Sequence, residues 1–172
     1  MLPPPQSVEV RHDSSVGEAR RAARTIAAAL GFAPQACEEI AIAVTELATN
    51  LVKHAGGGTL TLTPLAQGGR VGLQIESRDA GPGIANVQQA LGDRYSTAGT
   101  RGTGLGAVNR LMDEFDITSR PRSGTRIVCR KWLRQHPVSL KPCPLAIGVA
   151  TRPRAFGQVN GDAFVVRQWA ES

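Results

Sequence analysis

The chain has 172 residues, 41% of them hydrophobic and 4% aromatic, enough for one ordinary domain with a modest appendage. Its 20 Lys and Arg against 14 Asp and Glu give a net charge of +6, which favours an acidic partner or a phosphate ligand without choosing between them. Scarce aromatics argue against nucleic acid, and three widely spaced cysteines with no C-x-x-C pair indicate neither a disulfide framework nor a zinc site.

Three unpaired thiols suit a reducing cytosol. The opening MLPPP lacks the basic and apolar regions of a secretory signal, and no apolar run reaches membrane-spanning length. A cytoplasmic protein without membrane contact is expected.

Residues 7–12 (SVEVRH) alternate apolar and polar side chains and predict a short edge strand. Ser14 or Ser15 then caps a helix with Glu18 in its first turn, which Gly31 ends after Leu30. Pro34 opens a second helix. Its Ile40, Ala43, Val44, Leu47 and Leu51 follow the 3.6-residue period and should face a core. Glu46 and Asn50, four apart and so on one face, lie at the border of that stripe.

Residues 56–58 (GGG) break the helix, and 59–65 with 70–77 read as a hairpin that delivers Asp79 just past a strand end. Between Gly83 and Gly102 runs a long polar loop with one short helical piece near 87–91, the sequence of a functional lid. A helix from about Leu105 to Met112 and a closing strand pair, 115–119 with 125–133, complete the main body. The basic run Arg120, Arg122, Arg126, Arg130, Lys131 and Arg134 is either a solvated strand face or a docking surface. Beyond Arg134 a proline-punctuated linker, 135–144, precedes a tail, 145–172, with candidate strands at 145–151 and 163–169.

No Gly-Lys pair exists, so a Walker A loop is excluded, and the kinase HRD and DFG triplets are absent. Residues 102–107 (GTGLGA) match a loose dinucleotide fingerprint, but a lid-like stretch precedes them instead of the apolar strand that motif needs. A different reading uses every piece. Gly102, Gly104 and Gly106 let backbone N–H groups approach an anion at a helix start, where the helix dipole also favours negative charge. The Asn50 carboxamide oxygen suits Mg2+ bridging the phosphates, and Glu46 can orient or deprotonate a nucleophile. Asp79 can accept a hydrogen bond from an exocyclic amine, while Gly81 and Gly83 clear space for a flat base. Arg101 either reaches a γ-phosphate or is an exposed lid arginine, and Ser96 and Thr97 either touch phosphate or shape the lid. His54 is expected to pack or hydrogen-bond near the helix end.

The order of these features resembles the nucleotide-binding domain of the GHKL superfamily over about residues 7–134. Glu46 and Asn50 look like its N-box, Asp79-x-Gly81-x-Gly83 its first glycine box, Gly102-x-Gly104-x-Gly106 its second, and Gly124-Thr125 its closing threonine motif. The resemblance implies an α+β fold, a two-layer Bergerat-type sandwich whose mixed, mostly antiparallel sheet carries helices on one face. It also implies ATP with Mg2+, and adds Ile84, Thr103, Leu105 and Thr125 to the nucleotide contacts.

Within the superfamily, the short length, His54-Ala55, Tyr95 to Thr97 and Lys131 to Leu133 are similar to the anti-sigma-factor serine/threonine kinases. That likeness implies phosphorylation of a STAS-domain partner. A sigma factor or a PPM phosphatase is the second partner such a switch offers, and a homodimer is compatible with it. Histidine kinases fit less well, because the helix from Val16 to Leu30 carries no phospho-accepting His. The alternative is a binding module, an anti-sigma factor or phosphatase activator whose nucleotide only sets its shape. ATP-fuelled work of the gyrase type is disfavoured, since no transducer domain follows Arg134. The tail resembles the first strands of PPM-type phosphatases, with Gly161-Asp162 at an early metal-ligand position, and as a two-strand piece it should be inactive.

Overall fold

The computed structural model describes residues 2–91 and 104–133, all within the first of the two units into which the chain divides, Met1–Arg134. Strand β1 (Gln6–Val10) leads into helix α1 (Asp13–Ala29) and helix α2 (Pro34–Asn50). A single π-helical turn, Leu51–Ala55, follows before strands β2 (Gly58–Gln67) and β3 (Arg70–Arg78). Helices α3 (Val87–Leu91) and α4 (Gly104–Leu111) precede strands β4 (Glu114–Ser119) and β5 (Thr125–Trp132).

The strands form one sheet in the order β1-β2-β3-β5-β4. All four pairings are antiparallel, so among the described residues the sheet is wholly antiparallel where a mixed one was expected. Hairpin geometry accounts for two of the four, β2–β3 and β4–β5, which join sequence neighbours through short turns, while β1–β2 and β3–β5 are antiparallel across the helical connections. The period-two pattern sends Leu60, Leu62, Leu73, Ile75 and Cys129 to one face, each fully buried beneath the helices. From α2, Ile40, Val44 and Leu47 meet them, and each such aliphatic chain contributes about 1.5–3 kcal/mol on burial. The opposite face carries Thr61, Gln74, Glu76, Arg126 and Arg130 and has no helix on it among the described residues.

Two local expectations need correction. Neither Ser14 nor Ser15 caps α1: His12 holds the cap position without a side-chain bond, and Asp13 supplies the first-turn acid. The chain therefore uses the helix dipole there instead of a hydroxyl cap. His54, exposed in the π-turn, has no hydrogen-bond partner among the described residues. The basic run is also not a bare cationic surface. Arg126 pairs with Glu76 at 2.7 Å, Arg130 with Glu114 at 2.7 Å, and Lys131 turns inward to Glu39 at 2.8 Å. Arg101, Gly102, Thr103, Ser96, Thr97, the linker at 135–144 and the tail strands lie outside the described residues.

Candidate functional site

Helix α2 lies between α1, tied through Arg24 to Glu38 at 2.8 Å, and α4. Its core stripe fixes its rotation, and that rotation leaves Glu46 and Asn50 half-buried along the α4 side. The first residue of α4, Gly104, meets both. A Cβ at Gly104 would stand 3.8 Å from Glu46 Oε2 and 3.9 Å from both Asn50 Oδ1 and Nδ2. The helix head, whose first N–H groups have no partner within the helix and which carries its positive dipole end, thus faces a carboxylate and a carboxamide across a gap. The amide's two heads are equidistant from that point, so a half-turn about its terminal bond offers oxygen at no steric cost. Leu105 and Gly106 are buried in the same first turn and seat α4 on the core.

Asp79 lies beyond the end of β3 in a second cluster. Its Oδ1 accepts the Gly81 N–H at 2.8 Å and the Thr125 N–H at 3.2 Å, and its own N–H donates to the Thr125 carbonyl at 3.0 Å. Its Oδ2 has no partner among the described residues. Gly124 donates to the Gly81 carbonyl at 3.1 Å, and the Arg122 N–H reaches the Pro82 carbonyl at 2.7 Å with Arg122 at φ 63°. The two loops, 79–84 and 119–125, are therefore laced along a seam.

Two glycines permit that seam. Gly83 and Gly124 hold φ of 72° and 77°, and a Cβ on either would overlap the carbonyl oxygen of Arg120 or of Asp79, respectively. Both the left-handed backbone and the close approach demand glycine.

Sequence reasoning missed Ser119. Its hydroxyl accepts the Ile84 N–H at 2.8 Å, lies 3.1 Å from the Gly124 carbonyl, and is 2.9 Å from Thr125 Oγ1. Ile84 joins the cluster through that backbone bond, and Thr125 is buried. A signal existed, since the β4–β5 register sets Ser119 directly opposite Thr125. Lys131 was also missed as a structural cation. It is 7% exposed and donates to the Leu111 carbonyl at 2.5 Å, at the C-terminal end of α4, where a positive charge complements the dipole.

The residues present fit a nucleotide with Mg2+. Such an ion takes one or two protein oxygens and completes its shell with phosphates and water, so the single carboxamide beside the α4 head is a sufficient donor. Among the described residues no group of three or more His, Cys, Asp or Glu is placed to hold a metal by itself.

An antiparallel sheet with helices on one face, a Glu–Asn helix beside a glycine-headed helix, and an aspartate laced to a Gly-Thr turn together define an ATPase domain of GHKL type. A model of the histidine kinase-like ATPase domain matches residues 9–131, and the chain belongs to that family. It is 39% identical over 127 residues to the serine/threonine-protein kinase RsbT of Bacillus subtilis (strain 168), covering 74% of this chain and 96% of that protein. It is 32% identical over 123 residues to an anti-sigma F factor of Thermoanaerobacter sp. (strain X514), covering 64% and 83%. Among solved structures, the SiaB–SiaC complex from Pseudomonas aeruginosa aligns at TM-score 0.47 with 15% identity, covering 74% of this chain and 89% of that one. ATP is the nucleotide this membership implies. No helix among the described residues is long and apolar enough to cross a membrane.

Proposed function

We propose that the chain is an ATP-dependent serine/threonine protein kinase of a bacterial partner-switching pathway, acting in the cytoplasm on a STAS-domain protein. One observation carries the reading: Gly104, at the head of α4, lies against both Glu46 and Asn50. A base and a neutral oxygen ligand thereby share one gap with an anion-binding helix end. The 39% identity to RsbT over nearly that protein's whole length supports the same conclusion.

In this reading the α4 head and Asn50 would hold the phosphate end of ATP, and a Mg2+ ion bound through Asn50 would supply charge neutralisation there. Glu46 accepts the proton of a serine or threonine hydroxyl as its oxygen bonds to the γ-phosphorus. The bond between that phosphorus and its bridging oxygen breaks, and ADP carries the bridging oxygen away. Asp79 and Thr125 take the base end, with Gly81, Gly83 and Ile84 shaping its walls. Arg101, Gly102 and Thr103 are assigned to the phosphate end on sequence alone.

The test is transfer of labelled γ-phosphate from ATP to a STAS-domain protein by the full chain. Glu46→Ala should lower the rate by about 10²–10⁴-fold while ATP still binds. Asn50→Ala should lose Mg2+-dependent nucleotide affinity as well as transfer. A wild-type chain that binds ATP yet labels no such partner refutes the kinase assignment. The similarity to an anti-sigma F factor supports a second reading, a nucleotide-controlled grip on a sigma factor or phosphatase. Complex formation that responds to ATP and survives Glu46→Ala would select it.

A further inference from the structure

We infer that Ser119 is a positioning residue that fixes the direction of the Thr125 hydroxyl proton, so that the base end of the site presents acceptors only. Such a surface selects a nucleobase bearing an exocyclic amine over one bearing a carbonyl at that position. The inference rests on the reading of Asp79 and Thr125 as the base end.

The protons available around Ser119 decide the direction. A serine hydroxyl has one proton to donate and two lone pairs to accept with. Three groups surround Ser119 Oγ. The Ile84 N–H at 2.8 Å can only donate, and the Gly124 carbonyl at 3.1 Å can only accept. Thr125 Oγ1 at 2.9 Å can do either. The Ser119 proton therefore goes to Gly124 or to Thr125.

Gly124 is buried, and its carbonyl has no other donor among the described residues. Leaving it unpaired would cost the desolvation of that carbonyl, whereas Thr125 has a proton of its own to give. So Ser119 donates to Gly124, Thr125 donates to Ser119, and Ser119 is saturated.

Thr125 is then left with lone pairs alone for any ligand. Beside it, Asp79 takes the Gly81 and Thr125 N–H groups on Oδ1 and keeps Oδ2 for a donor. A carboxylate and an acceptor hydroxyl side by side match an amine, directly or through a water. They oppose a carbonyl, which would face lone pairs with no proton between.

Inosine triphosphate tests this directly, because it differs from ATP by a carbonyl in place of that amine and a proton on the adjacent ring nitrogen. Calorimetric dissociation constants for both nucleotides would be compared in the full wild-type chain, Ser119→Ala and Ser119→Thr. Wild type should prefer ATP. Ser119→Ala, by freeing the Thr125 proton to turn toward the base, should shrink the ATP-to-inosine ratio by about tenfold, and Ser119→Thr should restore it. Should Ser119→Ala unfold, Ser119→Cys keeps the volume with a much weaker donor and carries the same comparison. A variant that weakens both nucleotides equally makes Ser119 a brace and overturns the inference alone. A wild type that binds both nucleotides equally overturns the base-end assignment and this inference with it.

Discussion

Asp79 commits one carboxylate oxygen to its own neighbourhood and keeps the other. Gly81 and Thr125 both donate to Oδ1, so the side chain cannot rotate without breaking two bonds. Asp79→Asn can preserve those two contacts through its single oxygen while putting an NH2 where Oδ2 stood. ATP affinity in that variant should fall at least about tenfold with the melting temperature little changed, a pair of readings that calorimetry and a thermal melt supply. Gly124→Ala should behave in the opposite way. Its methyl would overlap the Asp79 carbonyl at a φ of 77°, so denaturant unfolding should show a loss of about 1–3 kcal/mol or more, with nucleotide binding lost alongside.

At the scale of elements, helix α4 meets chemistry of opposite sign at its two ends, and only the tail is tied. Its head faces Glu46 and Asn50, and its tail carbonyl at Leu111 receives the Lys131 ammonium. Lys131 also pairs with Glu39 of α2 at 2.8 Å, so β5 pins both helices from beneath. Lys131 is buried while the Glu39 side chain keeps 26% of its surface exposed, so water can take over part of what is lost and Lys131→Ala should cost about 1–3 kcal/mol in a chemical melt. Lys131→Met, which keeps the aliphatic volume, should recover part of that.

The exposed-face pairs behave differently. Arg126 holds the Glu76 carboxyl below its ordinary value of 4.5, through a bidentate contact of 2.7 and 3.0 Å. A depressed folded value adds stability that is fully present above the unfolded value and is lost as pH falls through the folded one. The stability difference between wild type and Glu76→Gln should therefore be full at pH 7, begin to shrink as pH falls past 4.5 and disappear once pH has dropped through the lowered folded value, as urea melts across the acid range would show.

The helices and hairpins were legible in the sequence because each rests on a local rule: the 3.6-residue stripe of α2, the period-two pattern of β2 and β3, Pro34 at a helix start. Glu46 and Asn50 were legible for the same reason, since four residues of helix fix their common face. The π-turn was not, because an added residue in a helical turn leaves no mark on a pattern that Gly56 was already expected to end. Nor was the inward turn of Lys131, which followed from its alternation with Cys129 and Ile127 on β5 but was masked by the arginines around it. Ser119 opposite Thr125 could be read from the hairpin, but its bond to Ile84 depends on a second loop meeting the first, a non-local fact.

At the scale of the whole molecule, the sheet divides the chemistry. Its covered face holds Cys129, fully buried, whose thiol burial pushes up to about 12. In the native chain Cys129 should resist alkylation at pH 8 and react only on unfolding, which peptide mass mapping after a timed iodoacetamide pulse would reveal. Alkylation at the native rate of an exposed thiol would contradict the packing of β5.

The seam between residues 79–84 and 119–125 has a consequence for how such a chain can vary. Ile84 and Ser119 are bonded directly, so the 34 residues between them, with α3, α4 and most of β4 among them, begin and end at one clasped point. Closing a longer excursion between fixed ends is cheap, since doubling its length costs only about 0.6 kcal/mol in loop entropy. The clasp uncouples the length of that segment from the shape of the base end. Descendants of this domain can change the stretch between α3 and α4 in length while the proposed base end stays as it is, whereas α4, seated on the core, and β4, paired with β5, are fixed by what they pack against.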